Sequence, residues 1–399
     1  MEPLFPQGPK VGALEDLALQ VQTQSAVLSG MLHPCSQLAV VDLTRLINSY
    51  YSNLIEGNST HPIDIEKAMR QHYAEDPFKR NLQLESLAHI ECQKALEERL
   101  RQVPDLEPCD PEIMSWVHEI FYLRLPEELC WVQNPDTGER LRVVPGEFRK
   151  RDVAVGGHVP PKHDALEGFL TRFHESYRRA QLRGLKPIIA AAASHHRLAW
   201  IHPFLDGNGR VARLITDTYL RALMPGYGMW TVSRGLARGK ARYMEALATA
   251  DMPKRNDLDG RGPLSNEGII HFCGFFLETC LDQVQYMTSM LRLDELLGRI
   301  EGYVKLRAEK IIPAPMEKYP SIKLPAAKIL QEVLLRGEMS RGDAAAACGS
   351  PRTGKDILPQ LLGEGLLVSN MPKGPVRIGF PPHAAGYLFH ELYPMGVSQ

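Results

Sequence analysis

The chain has 399 residues, with 46 lysines and arginines against 47 aspartates and glutamates, a formal charge of −1 and 44% hydrophobic residues. That length suits two or three domains at roughly 100–200 residues each, with a sizeable core. The near-zero charge excludes a dedicated nucleic-acid or anionic-membrane binder working through its long-range field, leaving only local basic patches.

Residues 1–34, with their prolines and glycines, read as an arm. From Val41 the spacing of Leu43, Leu46, Ile47, Tyr50 and Leu54 predicts a helix. It stops at Gly57, a suitable C′ residue, before the turn-like Asn58-Ser59-Thr60-His61-Pro62. Residues 82–101 and Glu112–Leu125 read as further helices, parted by the Pro-rich stretch from Val103 to Pro111. Between Trp131 and Val155 the pattern changes. Trp131-Val132, the turn signal Asn134-Pro135-Asp136-Thr137-Gly138, Leu141–Val144 and Val153–Val155 suggest short strands in a hairpin.

Helical patterning resumes at about Asp164 and runs, interrupted, to about Leu335. Its longest element starts at the N-cap candidate Ser265, with Ile269, Cys273, Phe276, Cys280, Met287 and Leu291 in near-heptad spacing. A packed core helix is the plain reading, a homodimer seam the sharper one. Residues 316–399 form a separate unit with helices at Leu324–Leu335, Ser340–Cys348 and Ser350–Glu364. Pro359 argues for a kink or a later start in the third. The alternating tail Leu366–Phe380 follows, turning at Gly374-Pro375; three helices plus a small hairpin is the winged-helix layout.

No run approaches the 18 or so apolar residues of a membrane span, so no membrane partner is expected. The N-terminus lacks the basic and apolar regions of a signal peptide. The seven cysteines (Cys35, Cys92, Cys109, Cys130, Cys273, Cys280, Cys348) are odd in number and contain no CxxC, which favours reduced thiols in the cytoplasm.

Chemistry concentrates in Ile201-His202-Pro203-Phe204-Leu205-Asp206-Gly207-Asn208-Gly209-Arg210-Val211-Ala212-Arg213. Pro187–Trp200 before it and Val211–Leu223 after it read as helices, so the motif is a loop feeding a helix N-terminus. Glycines on both sides of Asn208 permit positive φ and turn several N–H groups to one side, an anion nest. Arg210 and Arg213, at i and i+3, oppose the helix dipole there, a cost of a few tenths of a kcal/mol or more, roughly, that an absent anion would offset. Two arginines suit a polyphosphate better than one carboxylate. Asp206 adds a hard oxygen ligand for Mg²⁺, and His202 can accept a proton near neutral pH.

From His202 to Arg213 the chain resembles the Fic family, whose hallmark is His-Pro-Phe-x-Asp/Glu-Gly-Asn-Gly-Arg-x-x-Arg, matched at every defined position. The resemblance covers roughly residues 110–260. It implies transfer of AMP from ATP to a Ser, Thr or Tyr hydroxyl of a protein, possible substrates including the chain itself. His202 would then be the general base, and Asp206 would hold Mg²⁺ on the α- and β-phosphates. Gly207, Asn208 and Gly209 would line the anion hole, Arg210 would meet the β-phosphate and Arg213 the γ-phosphate. The hairpin around Gly146, Phe148, Val153 and Val155 resembles the family's flap, to which a target segment adds as a strand. Tyr243 occupies a position resembling an adenosine-pocket residue.

Ser52-Asn53-Leu54-Ile55-Glu56-Gly57 resembles the family's inhibitory signature, Ser/Thr-x-x-x-Glu-Gly/Asn. Glu56 is an anion at a helix C-terminus, the wrong end for the dipole, and Arg213 is misplaced at the other sign; pairing explains both. Glu56 would occupy the space where Arg213 binds the γ-phosphate.

Two stretches are set aside. Gly349–Lys355 imitates a P-loop but has Asp356 in place of the Mg²⁺-binding Ser/Thr, and His195, His196 and His202 lack a zinc-ligand spacing. In the C-terminal unit Arg341, Arg352, Lys355, Lys373 and Arg377 supply a competing class, a DNA-binding winged-helix regulator with an inactive Fic core. A third reading runs the same site backwards, removing AMP by hydrolysis with Glu56 orienting water.

The expected whole is mainly α: an N-terminal helical region at 1–105 with the inhibitory helix at about 41–57, a Fic-type helical core with a β-hairpin flap at 106–260, a helical extension at 261–315 and a C-terminal winged-helix domain at 316–399.

Overall fold

The computed structural model describes residues 1–134 and 137–394. Five helices come first: α1 (Val11–Ser29), α2 (Pro34–Ile55), α3 (Pro62–Met69), α4 (Pro77–Gln102) and α5 (Pro111–Tyr122). A two-stranded antiparallel hairpin, β1 (Trp131–Gln133) and β2 (Arg140–Arg142), pairs Val132 with Leu141. Then follow α6 (Leu166–Tyr177), α7 (Lys186–Ile201), α8 (Asn208–Leu223), α9 (Val232–Arg238), α10 (Lys240–Asp251), α11 (Asn266–Met290) and α12 (Leu293–Ala308). The chain finishes with α13 (Ala326–Arg336), α14 (Arg341–Ala346), α15 (Pro351–Gly363), β3 (Leu367–Val368), β4 (Arg377–Ile378) and α16 (Pro382–Leu388).

Proline starts many of these helices. Pro34, Pro62, Pro77, Pro111, Pro351 and Pro382 each occupy the first helical position, where the missing N–H has no intrahelical acceptor to lose. Asp76, Asp110, Ser265, Ser340 and Ser350 cap their helices by accepting a backbone N–H. Six of the 30 prolines thus sit at helix starts, where they do not break the helix.

The core is a bundle around α7, whose Ile188–Ala193 are all buried. α8 and α11 pack on it, and α10 closes against α11. The expected N-terminal arm is instead α1, which buries Leu14, Ala18, Val21 and Leu28 and packs along α11. Trp230 donates to the Ser25 hydroxyl at 3.0 Å, which explains a polar residue on that buried face. Residues before α1 are also tied down: the fully buried Arg197 donates to the Pro3 carbonyl at 2.8 Å. The near-heptad stripe of α11 is spent inside this chain, on α1, α7, α9 and α10.

α2 starts seven residues before the expected Val41 and is buried on most sides, packing against α4, α8, α9 and β4. The hairpin lies at 131–142; Val153–Val155 is not a strand but ends in a single bridge between Val155 and His158. Pro135 and Asp136 of the expected turn lie outside the described residues.

The C-terminal elements follow the expected order, three helices and then the antiparallel β3–β4 pair, joined by a bridge between Met339 and Val376. α15 begins at Pro351 and runs through Pro359, so proline there does not delay the start. These elements lean on α2: the Ser36 hydroxyl donates to the Leu334 carbonyl at 2.7 Å and the Tyr51 hydroxyl to the Leu392 carbonyl at 3.0 Å. Among the described residues no helix is long and apolar enough to cross a membrane.

Candidate functional site

The motif loop is bracketed by two left-handed residues. His202 itself ends α7 at φ +51°, a conformation costly for most non-glycine residues, and Gly207 caps α8 at φ +78°. Just after them Asn208 clamps the loop, its side chain accepting from the Phe204 N–H at 2.9 Å and donating to the Phe204 carbonyl at 2.8 Å. Only one of the two motif glycines needs positive φ. Gly209 is helical, and its requirement is space: a Cβ there would collide with the Glu56 carboxylate and lie 3.1 Å from Arg213. At Gly207 a Cβ would stand 2.9 Å from the Tyr122 ring.

His202 is neutral at pH 7. Burial first, then the nearby Arg149 charge, bring its pKa down to about 4, against an opposing hydrogen bond at Ala199. Arg149, 3% exposed, holds the His202 carbonyl through Nε at 2.8 Å and donates its backbone N–H to the Pro203 carbonyl at 2.9 Å. This side chain therefore fixes the turn that presents the imidazole.

Asp206 is oriented from α5. The Tyr122 hydroxyl donates to its Oδ2 at 2.6 Å, and burial, then the adjacent Asp206 charge, keep that phenol protonated. His118 accepts from the Gly146 N–H through Nδ1 at 2.9 Å, so its Nε2 carries the proton and meets the Asp206 carbonyl at 3.3 Å. Its ring stacks on Phe204 at 4.0 Å.

Each motif arginine is met by a carboxylate from the N-terminal helices. Arg213, 2% exposed, donates through Nε to the Ser52 hydroxyl at 2.9 Å and through Nη2 to the Ser52 carbonyl at 3.1 Å and to Glu56. Burial raises the Glu56 pKa, but Arg213 and then Arg210 bring the net shift below the usual carboxylate value. A Schellman turn places that carboxylate: Gly57 (φ +93°) donates to the Leu54 carbonyl and Asn58 to the Asn53 carbonyl. Arg210 diverges from Arg213 and meets Glu85 of α4 at 3.3 Å.

A cavity of about 680 Å³ opens beside these groups, within the usual range for small-molecule sites. Glu56, His202, Asn208, Gly209, Arg213, Tyr243 and Val155 all line it; Asp206 and Arg210 do not. Tyr243 is 4% exposed, with its hydroxyl 2.7 Å from His195 Nε2. Since Thr216 Oγ1 already donates to the Ala212 carbonyl, His195 Nδ1 donates to Thr216 and Nε2 accepts from Tyr243. His195 is thus a buried structural residue, not a metal ligand.

Of the expected flap residues, only Val155 reaches the cavity; Val153 lies on the same irregular segment. Gly146 packs on α5, where Ser115 donates to its carbonyl at 2.6 Å, and Phe148 packs 5.1 Å from Phe204. Neither presents a free strand edge. Glu85, Tyr122, His118 and Arg149 were not foreseen as site residues. Among the described residues no group of three or more His, Cys, Asp or Glu could hold a metal by itself.

Residues 111–220 match the family model described as the Fic/DOC family. Among curated proteins, protein adenylyltransferase Fic of Drosophila willistoni is 45% identical over 188 residues, covering 44% of this chain and 33% of that protein. The one from Drosophila grimshawi is 47% identical over 75 residues, covering 19% and 16%. The match therefore spans a third or less of these relatives' length. Among solved structures, a Fic family protein from Desulfovibrio desulfuricans aligns with TM-score 0.55 at 16% identity, covering 95% of this chain and 98% of that one. A Fic-1 structure from C. elegans aligns with TM-score 0.54 at 15% identity, covering 71% and 74%. These structures share the fold, and within it residues 111–220 match the Fic/DOC family model.

Proposed function

We propose that the protein is an autoinhibited adenylyltransferase that moves AMP from ATP to a hydroxyl of a protein. The observation that carries this is a neutral histidine and a carboxylate-blocked arginine on one cavity, beside an open helix N-terminus. The hydroxyl oxygen attacks the α-phosphorus, the bond to the β-phosphate oxygen breaks, and pyrophosphate leaves. His202 accepts the hydroxyl proton; Arg149 and the left-handed turn hold it in place. The α8 N-terminus neutralises phosphate charge, with Arg213 on the γ-phosphate and Arg210 on the β-phosphate. Tyr243 closes the adenosine side of the cavity, and Val155 lies where a target segment would enter.

Asp206 fits Mg²⁺ only together with a nucleotide. Tyr122 occupies one carboxylate oxygen, so this one residue leaves most ligands to phosphate oxygens and water, the usual mode for Mg²⁺. When bound, the ion would offset charge on the phosphates.

Autoinhibition follows from occupancy. With Glu56 on Arg213, a γ-phosphate meets a carboxylate instead of a guanidinium. Glu56 also shares the cavity with His202, which supports the hydrolytic removal of AMP as a second reading. Mass spectrometry of the parent, Glu56→Gly and His202→Asn after incubation with ATP and Mg²⁺ tests the proposal. An added mass of AMP in Glu56→Gly alone is the expected outcome; equal labelling of all three would defeat it.

A further inference from the structure

The two arginines of the motif are held in different ways. Arg213 has its Nε and Nη2 both engaged, on Ser52 and Glu56. Arg210 is touched by Glu85 at Nη2 alone, and its buried Nε has no hydrogen-bond partner among the described residues. One face of its guanidinium lies over the Phe121 ring, 5.2 Å from the centroid. The group is gripped at one corner and one face and left with an unspent donor, an arrangement costly to keep in a buried site without a ligand.

The two carboxylates differ as well. Glu56 is the last residue before a glycine turn and its side chain is 34% exposed, so it can swing out. Glu85 sits inside the 26-residue α4, its side chain 9% exposed, and the Asn58 side chain donates to it at 2.8 Å. Held by Asn58 and buried within a helix, it is set to stay in place where Glu56 can leave. A fixed carboxylate beside a polyphosphate is tolerable only while it stays paired with a cation.

We propose that Glu85 is a positioning residue: it holds the Arg210 guanidinium over Phe121 with Nε unpaired, so that on nucleotide binding the β-phosphate becomes its partner. It is the counterpart of Glu56 in charge and its opposite in effect. The inference rests on the nucleotide-binding reading above and adds a residue outside the loop motif to it.

The test uses calorimetric titration of ADP and of AMP, each with Mg²⁺, into Glu56→Gly alone and combined with Glu85→Ala or Glu85→Gln. AMP lacks the β-phosphate and serves as the internal control. Glu85→Ala should weaken ADP about tenfold, the loss of one charge-assisted contact. Glu85→Gln, which keeps an acceptor, should recover part of that, with AMP affinity within roughly twofold throughout. ADP binding that is unchanged or tighter would overturn the proposal, the tighter result marking Glu85 as a second brake. Equal weakening of AMP and ADP would reduce Glu85 to a structural role. Failure of Glu56→Gly to bind either nucleotide would overturn the nucleotide reading, and this inference with it.

Discussion

Arg213 divides its guanidinium between Ser52 and Glu56, residues one helical turn apart on α2. Ser52 is fully buried, while Glu56 stands at the exposed helix end just before the Schellman turn. Two contacts to Ser52 therefore anchor the arginine, and Glu56, which lines the cavity, shares its Nη2 with the Ser52 carbonyl. The proposed inhibition and the anchoring thus use the same side chain, and mutation can separate them.

Glu56→Gly should raise AMP transfer by about tenfold or more, the effect of returning one charge-assisted hydrogen bond to the nucleotide. Ser52→Ala should not copy it, because it strips the buried Arg213 Nε of its acceptor and costs about 1–3 kcal/mol of stability. Transfer of radiolabelled AMP and thermal melts, run side by side, read the two effects. Equal labelling in the parent and Glu56→Gly would end the brake hypothesis.

Replacing His202 needs care, because alanine is strained at φ +51°. Asparagine tolerates that region and cannot act as a base. His202→Asn in the Glu56→Gly background should lower the transfer rate by about 10²–10⁴. ADP affinity should stay near that of Glu56→Gly alone. Loss of both together would assign His202 to structure rather than to proton transfer.

As the proposed base, the same histidine should set the pH profile. Its folded pKa is lowered to about 4, so the base-competent neutral form persists down to that value. In Glu56→Gly, kcat/KM should stay level from pH 7 to about 5 and fall only as pH passes through about 4. An acid limb breaking near 6.5, the value for an unperturbed histidine, would contradict the buried geometry.

Acid should also destabilise the fold, and the sign is fixed by three other histidines. His89, His118 and His195 are fully buried, and burial lowers them to about 3, 4 and 3. Unfolded, each takes a proton below about 6.5 that the folded state refuses. Stability should therefore fall as pH drops from 6.5 towards 4, at up to about 1.4 kcal/mol per pH unit for each histidine. Denaturant midpoints measured at pH 7.5, 6 and 5 check this; a flat series would mean that these histidines are protonated in the fold.

The motif loop and the Glu56–Arg213 pair were legible because each is a local pattern. His202–Arg213 is one continuous run, and Glu56 announces itself as a charge at the wrong helix end beside a C′ glycine. Glu85, Tyr122 and Arg149 meet their partners across 125, 84 and 53 residues, and nothing in their own neighbourhoods marks them. α1 was hidden differently. Its buried face of Leu14, Ala18, Val21, Ser25 and Leu28 carries one small and one polar residue, because the helix lies close on α11 and Trp230 binds Ser25. The hairpin formed at its expected start but closed at residue 142, while Gly146 and Phe148 beyond it are spent on α5 and Phe204.

Gly209 offers a prediction whose size depends on its background. The residue is helical, so alanine should favour the helix by roughly 0.5–1 kcal/mol where there is room. In the parent there is none, since the new methyl would strike the Glu56 carboxylate, and either the ion pair or the helix start must shift. Gly209→Ala should thus destabilise the parent, by about 1 kcal/mol or more. With Glu56→Gly the obstructing carboxylate is gone, and the anchored Arg213 at 3.1 Å needs to shift by only a few tenths of an ångström, so the same substitution should cost clearly less than in the parent. Urea melts of the four proteins form a double-mutant cycle. A coupling energy indistinguishable from zero would mean that Glu56 does not occupy the space over Gly209.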